Sequence, residues 1–181
     1  LLCLALGVER FFYFDLQNWH DNLEGSWDAS LGLVEAGGNK KPSFQAYKTL
    51  VAEVDHKDIV GRCNPFGEGG KDIERVLIHD PKTKEYTLAV WRTGSVRAPA
   101  DGAKQSVGVL CEKKDIRVVG PFGEETVYPL ADDPNAADDA RRTVVVPIDG
   151  HPRYIHGVAP EGCLADAAIR LDPALTILAP G

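Results

Sequence analysis

Two carboxylates, two side-chain amides, an indole and an imidazole fall within seven residues, Asp15-Leu16-Gln17-Asn18-Trp19-His20-Asp21, directly after the apolar run Phe11-Phe12-Tyr13-Phe14. Such groups can hold a polar ligand through hydrogen bonds and ring contacts. His20 and Asp21 do not read as a catalytic dyad, because adjacent side chains seldom face each other and no Ser or Cys is placed to complete one. The glycine-rich Pro65–Lys71 ends in Gly70-Lys71 followed by Asp72. A phosphate loop needs Ser or Thr after that lysine and a helix behind it, so this stretch reads as a hairpin tip. His151 and His156 belong to no compact ligand cluster, and Cys3, Cys63, Cys111 and Cys163 contain no CxxC pair, so no metal site is expected. Cys63 and Cys111 would suit a bridge in a secreted protein or two small buried thiols, and cysteine usage leaves the compartment open.

The polar loop needs an element to carry it. Val8–Asp15 reads as a strand that is apolar almost throughout, the pattern of a parallel strand covered on both faces. Leu1–Leu6 reads as a helix end stopped by Gly7; it lacks the basic start and small-residue cleavage site of a signal peptide. The connection 22–39 is long and rich in turn formers, and it contains Trp27. Pro42 suits a first helical position. Phe44, Tyr47, Leu50, Val51 and Val54 then recur at spacings of three and four, one apolar stripe on a helix of about three turns, which ends at Asp55–Asp58. From Ile59 the period changes. Strands are expected at Glu74–Asp80 and Tyr86–Arg92, joined by a hairpin at Pro81–Lys84, then at Val107–Cys111, Ile116–Val119, Thr126–Pro129, Thr143–Ile148 and Tyr154–Gly157. Short strands so closely spaced predict an antiparallel sandwich. Alternation puts Tyr86, Leu88 and Val90 on one face of their strand and Thr87, Ala89 and Trp91 on the other. Residues 132–139 read as a solvated acidic loop.

The composition is that of an ordinary globular protein, with 44% hydrophobic and 26% charged residues. The net charge of −7 argues against a nucleic-acid partner, and no apolar stretch approaches the roughly 18 residues of a membrane span. The chain has no Met and opens in mid-pattern, which suggests a piece of a longer protein.

Several phrases resemble one family. Phe11–Asp15, Leu31-Gly32-Leu33-Val34, the turn Gly37-Gly38-Asn39 and Lys40-Lys41-Pro42-Ser43-Phe44-Gln45-Ala46-Tyr47 resemble the last strand, loop and helix of the TIM-barrel glycoside hydrolases of clan A, the cellulase, xylosidase and glucuronidase-like group. Val76-Leu77-Ile78, Leu88–Thr93, Val118–Gly123 and Pro152–Val158 resemble, in order, the small β-sandwich that follows the barrel in many of these enzymes. The resemblance covers roughly residues 1–158.

It implies a mainly β chain: an antiparallel β-sandwich (59–158) preceded by the last βα unit of a (β/α)8 barrel (1–58), with 159–181 a linker or the start of a further domain. It implies the C-terminal part of a hydrolase of β-linked glycosides, working by a retaining two-carboxylate mechanism. The family's glutamates close the fourth and seventh barrel strands, upstream of Leu1. Glu9 would lie at the bottom of the barrel, Glu24 and Glu35 match no catalytic position, and no catalytic residue, metal or cofactor is assigned. Trp19, at the top of the eighth strand, would stack on a sugar, since a pyranose offers C–H groups to a flat indole; it would serve equally to plug the barrel mouth. Trp27 is the second candidate for stacking. Asp15 and Asn18 would contact sugar hydroxyls, though an Asp there also suits a loop-fixing bond. The expected partners are a carbohydrate substrate and the rest of the barrel. Competing readings are a carbohydrate-binding module, which needs an exposed row among Tyr86, Trp91, Tyr128 and Tyr154, and a structural domain of a surface protein.

Overall fold

The computed structural model describes residues 1–8, 16–18, 31–63, 73–93, 105–111, 115–129 and 142–160. Asp15, Trp19, Trp27, most of the expected strand Val8–Asp15, Glu9, Glu24 and Cys163 lie outside the described residues, as do 65–71, 132–139 and 161–181.

The chain is mainly β. Among the described residues, two helices, α1 (Leu2–Ala5) and α2 (Pro42–Val54), precede eight strands: β1 (Asp58–Arg62), β2 (Ile73–His79), β3 (Tyr86–Arg92), β4 (Gln105–Cys111), β5 (Asp115–Val119), β6 (Glu125–Pro129), β7 (Arg142–Ile148) and β8 (Arg153–His156). Seven fall where alternation and turn signals place them. The eighth, β1, is too short and too interrupted by Gly61 to show an alternating pattern. It pairs with β2 through a bulge between Ile59 and Gly61, and Gly61 takes φ +149°, open to glycine and not to its neighbours.

The pairs among these eight strands are antiparallel, and they form a six-stranded sheet, β1-β2-β3-β8-β5-β6, and a two-stranded sheet, β4-β7. The β2–β3 hairpin is held by Asp80, whose Oδ1 accepts the amides of Lys82 (2.8 Å) and Thr83 (3.3 Å). Those bonds hold its carboxyl below the usual carboxylate range.

Period-two alternation gives the large sheet two buried faces. Leu77, Leu88, Val90, Ile116, Val118 and Ile155 share one core with Val107, Val109, Val144, Val146 and Ile148 of the small sheet. Val76, Ile78, Ala89, Val119 and Tyr154 line the other face, covered by Leu1 and Ala5 at α1, Val54 of α2, Ile59 and Trp91. Helices, large sheet and small sheet are thus stacked in that order. The division of β3 follows the expected alternation, with Trp91 on the helix side. Tyr86 and Tyr128 pack on the first core, Trp91 packs on the second, and Tyr154 is buried within the second, so these four aromatics make no single exposed row. Cys63 and Cys111 both lie in the first core, where burial pushes the Cys111 thiol up to about 11.

Helix α2 departs from expectation. The apolar stripe predicts Phe44, Tyr47, Leu50, Val51 and Val54 as the buried face. The buried residues are instead Thr49 and Glu53, while Tyr47 and Val51 stand 37% and 43% exposed. The sheet offers this helix a polar partner, described below, and the helix turns its polar side to it.

Deleting the Leu88 side chain (Leu88→Ala) should cost about 2–5 kcal/mol, because it is 2% exposed and the cavity cannot collapse between two sheets. Val145→Ala, at a 60% exposed position, should change stability by no more than about 0.5 kcal/mol. Urea unfolding of both variants checks the layer order.

Candidate functional site

Asn18 is the one substrate-contact candidate among the described residues, and it is buried. Its segment runs alongside Leu31–Lys41: Gln17 forms a parallel bridge with Val34, which in turn bridges Lys40 in the antiparallel sense. The Asn18 amide donates to Val34 O (2.8 Å), and the Val34 amide donates to Leu16 O (3.0 Å). Asn18 Oδ1 accepts the Gly32 amide and the Lys41 ammonium, both at 2.9 Å. Gln17 Nε2 donates to the carbonyls of Ala36 (2.8 Å) and Glu35 (3.3 Å). Both lone pairs of the Asn18 carbonyl are thereby committed within the chain. Its visible work is to tie the segment that leads into Trp19 to the lead-in of α2. Gly32 is required by this closeness, since a Cβ there would lie 2.6 Å from the Asn18 amide nitrogen and 2.7 Å from Oδ1.

A second polar cluster escaped the sequence reading. Glu53 of α2 is 7% exposed and meets the helix-side face of the sheet. His156 Nε2 of β8 stands 3.2 Å from Glu53 Oε2. The contact is close but off-axis, since that oxygen has no aligned hydrogen-bond donor; it acts as an ion pair whenever the imidazole is protonated. His156 Nδ1 lies 3.1 Å from Thr87 Oγ1 of β3. A tautomer with its proton on Nε2 faces Glu53 and accepts the Thr87 hydroxyl at Nδ1. Arg117 Nη2 of β5 sits 3.3 and 3.1 Å from the two ring nitrogens, a ring contact rather than a directed bond, while its Nη1 donates to Glu125 Oε1 at 2.9 Å. Lys57 Nζ, one turn beyond Glu53, stands 3.6 Å from Glu53 Oε2.

Burial pushes the Glu53 carboxyl upward, but His156, Lys57 and Arg117 outweigh it, so it is held below the usual range. Burial, with the Glu53 charge beside it, raises the Tyr154 phenol. Hydroxyl, imidazole and carboxylate in this order are the set used to activate a nucleophile. Thr87 is 4% exposed, however, so its hydroxyl meets no substrate, and the cluster locks α2 onto three strands. The available signal was Thr49 and Glu53, spaced by four on one side of the helix, with Lys57 four residues further on, just past the helix end.

Among the described residues, no group of three His, Cys, Asp or Glu side chains is placed to hold a metal ion, and no helix is long and apolar enough to cross a membrane. Comparison of the sequence with protein-family models and with curated proteins finds no match to either.

Gly32→Ala should displace Asn18, seen as faster hydrogen exchange at the Asn18 and Val34 amides with strand β3 unaffected. Glu53→Ala should destabilise the protein by about 1–3 kcal/mol at neutral pH, because Lys57 and His156 lose a buried polar partner while Arg117 keeps Glu125. Since the folded protein depresses the Glu53 pKa, the carboxylate's contribution is fully present above its ordinary value of 4.5 and fades as pH falls through the lower folded value. The stability gap between wild type and the isosteric Glu53→Gln, read by urea unfolding, should therefore shrink below pH 4.5.

Proposed function

We propose that this chain is the C-terminal part of a clan A-like glycoside hydrolase, contributing the end of a (β/α)8 barrel and an accessory β-sandwich. The intact enzyme would hydrolyse β-linked glycosides with retention, using two upstream glutamates about 5–5.5 Å apart, one as acid/base and one as nucleophile. Asp15, Trp19 and Trp27 would form one wall of the sugar pocket, at the strand end where barrels build their sites, with Asn18, its carbonyl already committed to Gly32 and Lys41, fixing the segment behind them. The chain alone would be inactive.

One observation carries this reading: the apolar stripe of α2 is only partly covered, with Phe44, Leu50 and Val54 half-buried. Thr49 and Glu53 are buried, while the apolar Tyr47 and Val51 remain exposed. In a barrel the eighth helix packs on neighbouring helices and strands, which would cover that stripe. Two further features support the reading. Gln17 and Val34 pair in the parallel sense, and exposed Leu16 and Leu31 lie beside that bridge in sequence. The order of the quoted motifs runs from barrel end to sandwich.

The test compares the chain with the longer protein that this proposal requires its gene to encode. Val51→Asp should leave the 181-residue chain within about 0.5 kcal/mol of wild type and destabilise the longer protein by more than 2 kcal/mol, since a charge would be buried there unpaired. The longer protein should cleave an aryl β-glycoside, and the chain alone should not. Equal effects of Val51→Asp in both, or glycosidase activity in the chain alone, would overturn the proposal.

A further inference from the structure

Three arginines share the inner face of the large sheet. Arg75 of β2 pairs with Val90 of β3, and Val90 pairs on its other side with Arg153 of β8. Directly paired residues lie on one face, so both arginines stand on the side of Val90. Arg92 lies two residues beyond Val90 on β3, on that same side, opposite Ile73. Ile73, Leu77, Val90 and Ile155 belong to the core between the sheets, which identifies the face. The three arginines therefore bracket a fully buried valine at the end of that core, with the outer pair two strand spacings apart, about 9.5 Å between backbones.

Among the described residues, their surroundings do not balance them. All three are partly buried, and each Nε is buried without a hydrogen-bond partner. Among the described residues, Asp149 is the carboxylate that meets the group: its Oδ2 accepts Arg153 Nη2 at 3.2 Å, and its main-chain carbonyl accepts the Arg92 amide at 2.7 Å. Asp149 Oδ1 also accepts the His151 amide at 2.8 Å. Glu74 is no help, because it lies on the opposite face and is held by Arg62 at 2.9 and 2.6 Å. Arginine cannot relieve the crowding by losing its proton. A single arginine can rest its stem on apolar surface and send its charge to water. Three on adjacent positions of one face also repel one another, and their buried Nε–H groups stay unsatisfied.

We propose that Arg75, Arg92 and Arg153 form an oxyanion-binding site, taking a carboxylate, sulfate or phosphate group of a ligand at the end of the inter-sheet core. The planar guanidinium fork matches two oxygens of such a group at once. A ligand bearing one negative charge, together with Asp149, would leave the group with a net charge of about +1 instead of +2, by simple addition of unit charges. This inference does not rest on the glycosidase reading: an acidic ligand of any kind would satisfy it, and its test reads no glycosidase activity.

The test uses the full chain and three probes: sodium glucuronate for a carboxylate, sodium sulfate, and inorganic phosphate. Each is titrated against sodium chloride at equal ionic strength, with calorimetry and thermal unfolding as readouts. At least one oxyanion should bind saturably and raise the Tm above the chloride control, and the best of the three identifies the group recognised. Arg92→Gln and Arg75→Gln should each weaken that binding at least tenfold. Should either variant fail to fold, Arg92→Lys and Arg75→Lys keep the charge and lose the fork, and they should weaken binding by a similar factor. Identical behaviour in chloride and all three oxyanions, or an anion response that survives these substitutions, would overturn the proposal.

Discussion

Strand β8 is four residues long and joins the molecule together. Arg153–His156 pairs with β3 on one side and β5 on the other. Without it the large sheet would divide into β1-β2-β3 and β5-β6. Its residues serve both faces alternately. Ile155 enters the core between the sheets, and Tyr154 enters the core under the helices. His156 meets Glu53, and Arg153 completes the arginine row. A strand placed so late in the chain must close its ladder with β3 across more than 60 residues, a cost in loop entropy that grows only slowly with length. Burying Ile155 completely and Tyr154 almost completely offsets that cost.

The helix side of the sheet shows why a polar contact can fix what an apolar one leaves loose. An apolar helix face can slide or rotate on an apolar sheet with modest loss. Glu53 cannot, because its carboxylate needs His156 and Lys57 within a few ångström and would be stranded elsewhere. Buried ion pairs are weak contributors to net stability, and their best-attested use is to select one arrangement among several. Arg117 contributes to this selectivity. It stands against the His156 ring and is itself anchored by Glu125 of β6, so the lock reaches from α2 to the far edge of the sheet.

The strands were legible because alternation is a local signal. Ile73–His79 and Tyr86–Arg92 carry β-branched and aromatic residues between clear turn formers, and the two faces of β3 divide as period two requires. Strand β1 was not legible, because its pairing depends on a bulge at Gly61 that is defined only by the partner strand. The amide of Asn18 marks it as a polar contact in the sequence, but its burial and its bonds to Gly32 and Lys41 are not legible there, since they join residues 14 and 23 positions apart. The Glu53 cluster and the arginine row share that property. Each is assembled from three or more elements, and no local spacing announces which strands will be neighbours.

Helix α2 shows the limit of periodicity in another way. Hydrophobic spacing reveals that a face is built to be covered, without naming what covers it. The stripe of Phe44, Tyr47, Leu50, Val51 and Val54 is as regular as that of any core helix, yet the sheet takes the side bearing Thr49 and Glu53. Val54 is the point at which stripe and sheet meet, since it packs on the second core. Farther back along the helix the two faces diverge, and Lys40 rests its ammonium 4.8 Å above the Phe44 ring. A polar face locked by buried charge and an apolar face exposed at Tyr47 and Val51 are opposite solutions on one helix. The first fixes the helix on the sheet, and the second is then held in a defined direction.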